Sequence, residues 1–426
     1  MNRLTMTLVA TTVFATGTAM GDCANAPCCE IRKLVPDDGI PLALFGESVD
    51  LGGSIGIIGA TKDEEFGVNT GAAYLFDVET GQQLFKLLAN DAASGDWFGW
   101  SVGADGGVAV AGAPFKPEGQ GSGAAYLFDV ATGQQLAKLQ PSVSVPGEFG
   151  WRVAVDGNLA VVTAPLDGDG GQAAGAAYVY DITNPSNPVQ IQKIVPADIA
   201  PGDRFGDSLG LLGNLAVIGA WASSSNNGAG TAYIFDVTTG QQRAKLFTSS
   251  ANGGDSFGYA SDVDTTISVV SAPNDSNANG INTGAVFIHD IATGAELAKI
   301  TPADGEPGDQ FGWSVGIDGS TLVVSSWSDD DNGTISGSAY LFDVSNPSNP
   351  VQIAKLLACD GEEFDRFGVE VDVENGLALV GSRADDDNGP ASGSAYVFEN
   401  DCEGIVSCPE DIDLSGTVDV LDLLAL

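Results

Sequence analysis

The run with the most explicit chemistry is DIDLSGTVDVLD, residues 411–422. Asp411, Asp413 and Ser415 stand at alternate positions, Gly416 follows where the chain must turn sharply, and Thr417 can offer its carbonyl. Asp419 and Asp422 complete the spacing of a twelve-residue calcium loop, in which hard oxygen ligands surround Ca²⁺. LDLLAL, overlapping the end of that loop, then starts an amphipathic helix. Weaker candidates for the same ion lie in SDDDNG (328–333) and ADDDNG (384–389), where Asp329, Asp331, Asp385 and Asp387 supply carboxylates with imperfect alternation. Solvated turns are the competing explanation for these two loops. Catalytic chemistry is sparse. The chain has one histidine, His289, inside the apolar run GAVFIHDI, which leaves few candidates for a Ser–His relay or a His-based zinc site. No catalytic residue is assigned. Asp96, Asp203, Asp255 and Asp309 recur just before a Phe-Gly pair and read as turn caps, because Asp bonds its own backbone in tight turns.

These residues sit in a repeating frame. Phe-Gly recurs at Phe45, Phe98, Phe149, Phe205, Phe257, Phe311 and Phe367, a period of about 50 residues that signals a repeat architecture. Each copy carries short apolar or alternating runs, such as SVGADG, VAVAGAP, AAYLFDV and QQLAKL, separated by Gly, Asn, Asp and Pro. ATGQQ and TTGQQ are hairpin turns between two such runs. Four strands per copy in seven copies predict an all-β fold, a seven-bladed β-propeller over residues 30–400. Within DWFGWSV, alternation puts Phe98, Trp100 and Val102 on one strand face, expected to pack against the next blade. The rival reading makes Trp100, Trp151 and Trp313 a stacking platform for sugars.

The FG…GAP pattern, clearest at Phe98-Gly99 with Gly112-Ala113-Pro114, resembles the FG-GAP repeat of integrin α-subunit propellers and their bacterial relatives. In those propellers Asp- and Asn-rich loops at the place of 328–333 and 384–389 bind calcium, which is what the resemblance implies for Asp329, Asp331, Asp385 and Asp387. The tail is similar to the first half of a type I dockerin, over residues 408–426 within a calcium-binding segment at 403–426. That likeness implies a cohesin-like partner. The departure is at Val420 and Leu421, where dockerins that dock cohesin usually carry small polar residues.

Residues 1–20, with Arg3, an apolar centre and small residues at the end, read as a secretory signal peptide. No other apolar run approaches the length of a membrane span. The net charge of −41 disfavours nucleic acid and anionic lipid as partners. The expectation is a secreted or cell-surface, non-catalytic module with Ca²⁺ as its cofactor. Its partner would be an extracellular protein or a glycan, and it would dock through its tail. The alternative is a carbohydrate-active component of a dockerin-bearing system.

The last expectation concerns closure of the ring. The seventh copy ends after SAYVFEN without an outer strand, while CCEIRKL (28–34) matches GQQLAKL (133–139). Residues 30–35 should therefore complete the seventh blade. The same alignment brings Cys402 to Cys28 and Cys29, so a disulfide from Cys402 to one of them is expected in an oxidising compartment.

Overall fold

A computed structural model describes residues 30–117, 123–143, 147–250 and 252–399. Within them, 28 strands form seven four-stranded antiparallel sheets. Each sheet is one blade. In the second blade the order from the axis outward is Val102–Asp105, Val108–Ala113, Ala124–Asp129 and Gln135–Leu139. These runs become strands because β-branched and aromatic residues alternate or run continuously between Gly- and Asp-bearing turns. The hairpin to the outer strand is closed by the Gly133 N–H donating to Asp129 O at 2.8 Å, with Gly133 at φ 67°. The expected seven-bladed architecture is what the structure contains.

Ring closure also follows the expectation. The strand Glu30–Leu34 is the outer strand of the seventh blade, antiparallel to Ser394–Glu399, with Glu30 opposite Phe398 and Leu34 opposite Ala395. Leu34 is buried with Phe45, Leu379 and Val397. Glu30 also accepts the Cys359 N–H at 3.0 Å, tying this closing strand to the segment entering the seventh blade.

The core lies between blades rather than within them. Each of the seven apolar clusters joins two adjacent sheets, as where Ile57 and Leu75 of the first blade meet Phe98, Tyr126 and Phe128 of the second. The repeated Phe is at the centre. Phe98 meets Tyr126 and Phe128 edge-on, at 5.6 and 5.7 Å between ring centroids. Its Gly partner is needed because backbones nearly touch there: a Cβ on Gly99 would stand 2.2 Å from Ala72 O, and one on Gly112 would stand 2.1 Å from Gly150 O. The repeated acids cap turns as expected, Asp96, Asp203, Asp255 and Asp309 accepting the N–H of Ala93, Ala200, Asn252 and Glu306 at 2.6–3.0 Å.

The packing expected of Trp100, Trp151 and Trp313 is corrected. Phe98 and Val102 are in the core, but the three indoles are only half-buried. Gly99 has φ +83°, which breaks the strand alternation, and the regular inner strand starts only at Val102. The residue two places after the Phe is thereby turned out onto the end of the propeller.

Candidate functional site

All six tryptophans are at that end, on the rim of the central channel. The rim is built from three places in each repeat: the residue before Phe-Gly, the one after it, and the pair following the second strand. The residue before Phe-Gly has a positive φ in every blade, 54° at Trp97 and 58° at Arg366 among them, so the backbone fixes its direction while leaving its type free. Trp97, Trp100, Phe115 and Trp151 make one aromatic arc, with Trp100 and Trp151 at 4.9 Å. Tyr259, Trp313 and Trp327 make a second, with spacings of 4.7 and 4.9 Å, and Trp221 lies 6.4 Å from Tyr259. Cations ride on the ends of both arcs: Lys62 over Trp97 at 5.7 Å, Arg204 over Trp151 at 5.6 Å and Arg366 over Trp327 at 5.3 Å.

Inside the rim the channel is crossed by an ion pair. Arg152 of the third blade reaches Glu370 of the seventh at 3.4 Å, and Ser314 Oγ donates to the same carboxylate at 2.8 Å. The same three residues line a chamber of about 140 Å³ together with Asp50, Asp262 and Asp372. Each of the three accepts a backbone N–H from the neighbouring inner strand at 2.8 Å, from Ala104, Ile317 and Leu51 respectively. Burial raises their pKa values, that of Asp262 to about 7 and that of Asp372 to about 6. Asp50 is raised well above the ordinary range by burial and by the nearby charge of Asp372. His289 is fully buried, packs edge-on against Phe257 at 5.7 Å, and bonds Phe247 O through Nε2. Burial lowers its pKa, so it stands in for the aromatic of the other blades in its neutral form.

The acidic loops have a feature that the sequence reading did not find. Asp329 and Asp385 are buried, and each is met by a lysine from the outer strand of its own blade: Lys355 with Asp329 at 2.9 Å and Lys33 with Asp385 at 2.8 Å. Lys86 with Asp63, Lys193 with Asp167 and Lys299 with Asp275 repeat the arrangement at 2.8–3.0 Å. The buried Asp also takes a tyrosine O–H, from Tyr340 at 3.0 Å and from Tyr396 at 2.7 Å, and the lysine sits over that tyrosine's ring. Asp331 and Asp387 lie beside the same ammonium groups, at 2.6 and 2.5 Å. Burial opposes the charge of Lys33, but Asp385 and Asp360 outweigh it and raise its pKa. In the second blade the loop itself supplies the cation, Lys116, 2.7 Å from Asp96.

The structure thus brings Asp329 with Asp331, and Asp385 with Asp387, into two clusters with a lysine ammonium at the centre of each. Asp360, Asp385 and Asp387 are the group whose oxygen atoms converge enough to hold a metal ion among the described residues. The lysine supplies the positive charge such an ion would supply. A signal for these nodes was present: a lysine recurs at one place in the outer strand of all seven blades, in a chain with 57 acids and 16 Lys and Arg. The tail loop at Asp411, Asp413, Ser415, Thr417, Asp419 and Asp422, and the pairing of Cys402 with Cys28 or Cys29, lie outside the described residues.

The FG-GAP repeat family model matches residues 29–76, 82–128, 134–180, 188–235, 241–289, 295–342 and 350–398. The chain belongs to the FG-GAP repeat family. Comparison with curated proteins gives no match. Each matched unit starts with the outer strand of one blade and continues through the first three strands of the next, so the unit at 29–76 brings with it the strand that closes the ring. Among the described residues, no helix is long and apolar enough to cross a membrane.

Proposed function

We propose that this FG-GAP propeller is a secreted, non-catalytic binding module that engages an extracellular protein or glycan through its tryptophan-bearing end. FG-GAP propellers generally bind proteins and occur outside the cell, which supports the setting. The observation that carries the reading is the gathering of all six tryptophans onto one end of the ring, half-buried and flanked by cations. Large aromatics held rigidly with one face accessible are the side chains that dominate binding energetics. The non-catalytic part rests on the channel. Its carboxylates of raised pKa are suited to acid–base work, yet they line a narrow chamber of about 140 Å³ that the Arg152–Glu370 pair crosses, well under the 300 Å³ or more of ordinary ligand sites. Asp309 and Asp365, also raised by burial, are engaged as turn caps by the N–H of Glu306 and Glu362.

In this reading the tail, with Asp411, Asp413, Ser415, Thr417, Asp419 and Asp422 as its calcium ligands, docks the propeller to a further partner of the cohesin kind. The experiment is retention on a panel of immobilised polysaccharides and matrix proteins, with new chain ends counted in parallel. Retention without turnover is expected, and Trp151→Ala or Trp313→Ala should weaken it by about 2 kcal/mol or more. Release of new reducing ends would overturn the non-catalytic assignment in favour of a carbohydrate-active component.

A further inference from the structure

Where the seventh, first and second blades meet at the tryptophan end, the rim opens into a groove of about 580 Å³. One wall is aromatic: Trp97 and Trp100 stand 5.7 Å apart with their planes inclined at 50°. Across from them is Phe364, 53% exposed. The groove also collects Lys62, Arg366 and Arg383, against a single lining carboxylate, Glu47. Arg383 is neutralised by Glu47 at 2.7 Å. For Lys62 and Arg366 no carboxylate lies within 4.0 Å among the described residues, in contrast to the seven outer-strand lysines. In a chain of net charge −41, a lined cavity with two unneutralised cations and one paired cation is a local reversal of sign. Burial, and then the neighbouring charge of Arg383, lowers the pKa of Arg366, a repulsion that an incoming anion would relieve.

We propose that this groove binds acidic polysaccharide, taking a uronate residue with its ring against Trp97 and Trp100 and its carboxylate on Arg366 and Lys62. The proposal rests on the binding role argued above and names the ligand class for it. A uronate carries an apolar C–H face and a carboxylate on one rigid ring, so stacking and ion pairing are met together. Arg meets a carboxylate with two parallel N–H donors, and such charge-assisted bonds are about twice as strong as neutral ones. An acidic peptide offers the charge but no ring face, and it must freeze flexible side chains to deliver it. The charge of the rest of the molecule is screened over about 8 Å at physiological ionic strength, so the groove's own cations dominate at contact.

The test is titration of the full chain with hexagalacturonate in EDTA-containing buffer, by calorimetry and tryptophan fluorescence, beside maltohexaose and hexaglutamate. Hexagalacturonate should bind at least about tenfold more tightly than either, a difference of about 1.4 kcal/mol. Arg366→Gln and Trp100→Ala should each weaken it by about tenfold or more, and Lys62→Gln by a smaller factor. Val189→Ser, on an outer strand, should leave it unchanged. Arg366 and Lys62 make no side-chain hydrogen bond or ion pair to the fold among the described residues, and matching far-ultraviolet spectra of both variants confirm that a loss is local. Equal binding of maltohexaose, or of hexaglutamate, overturns the acidic-sugar assignment while leaving a binding propeller in place. No binding of hexagalacturonate, or binding unaffected by both Arg366→Gln and Lys62→Gln, overturns it outright. Shortened oligomers would instead overturn the non-catalytic reading on which it rests.

Discussion

Replacing Lys33 by Met keeps the length of the side chain and removes its ammonium, which touches Asp360, Asp385 and Asp387 at 2.6, 2.8 and 2.5 Å. The three carboxylates left behind have ligand atoms within 4.8 Å of one another. At that separation two like charges repel by roughly 3 kcal/mol at an effective dielectric of about 20. Asp387 is 56% exposed and its share is largely screened, whereas Asp385 is 3% exposed and has nowhere to relax. Removing one partner of a buried pair costs about 3–5 kcal/mol, and discounting for the exposed members gives about 2–4 kcal/mol at pH 7. The lost ammonium can be replaced in two ways. Protons return at low pH, and Ca²⁺ accepts a cage of carboxylate oxygens. Thermal unfolding of Lys33→Met should therefore show a deficit at pH 7 that shrinks at pH 4–5 and is recovered by millimolar Ca²⁺. Wild-type propeller unfolding should respond little to the ion, because its lysine occupies the place. Two results would refute the reasoning: unchanged stability of Lys33→Met at pH 7, or the same calcium shift in variant and wild type.

The remaining predictions concern the channel, the tail and the ring closure. Asp262, Asp372 and Asp50 have pKa values raised above their unfolded value of 3.8, so they favour the fold while protonated and that contribution is lost as pH rises from about 4 through about 7. The thermal midpoint should fall by a few °C between pH 5 and pH 8, and Asp262→Asn with Asp372→Asn should flatten the slope; calorimetric scans across pH check it. Isothermal titration with Ca²⁺ should show a tight site that Asp411→Ala or Asp422→Ala removes, and persistence of that site in both variants would reject the tail assignment. Mass mapping of the non-reduced chain should find Cys402 joined to Cys28 or Cys29, and a reduced protein should unfold with less cooperation between its terminal strands.

Much of the fold could be read in advance because the repeat compares the chain with itself. The closing strand was legible because EIRKL at 30–34 sits in the register of QLAKL at 135–139, and its missing partner was visible as a seventh hairpin without a second arm. The turn-capping aspartates were legible for the same reason. The direction of Trp100 was not, since strand alternation assumes an unbroken strand and Gly99 at φ +83° interrupts it. The lysine nodes were legible only by half, in the recurring lysine and not in its partner. Lys355 and Asp329 lie 26 residues apart on an outer strand and a loop, and only the antiparallel stacking of three strands brings them together. Of the candidate binding end, the sequence showed tryptophans varying with Tyr, Asp, Glu and Val at one place in a fixed motif. That variability signals a position released from packing, but the arc emerges only when seven such places are arranged in a circle.

The pairing of Glu30–Leu34 with Ser394–Glu399 also decides how the molecule answers tension. Because the strands are antiparallel and Glu30 stands opposite Phe398, the two chain exits leave from the same edge of the seventh sheet. A pull on the chain before Glu30 and after Glu399 does not load all the rungs of this pair at once, as a shearing pull would. Without a covalent link at that edge, it would open them one after another from Glu30 towards Leu34, like a zipper. Unlinked, residue 30 would be the first rung to yield, and once Leu34 leaves the cluster it shares with Phe45 and Val397 the circle becomes an open arc of six complete blades. The disulfide expected from Cys402 to Cys28 or Cys29 would cross that edge and move the yield point elsewhere, turning a closure that peels into one that must be torn.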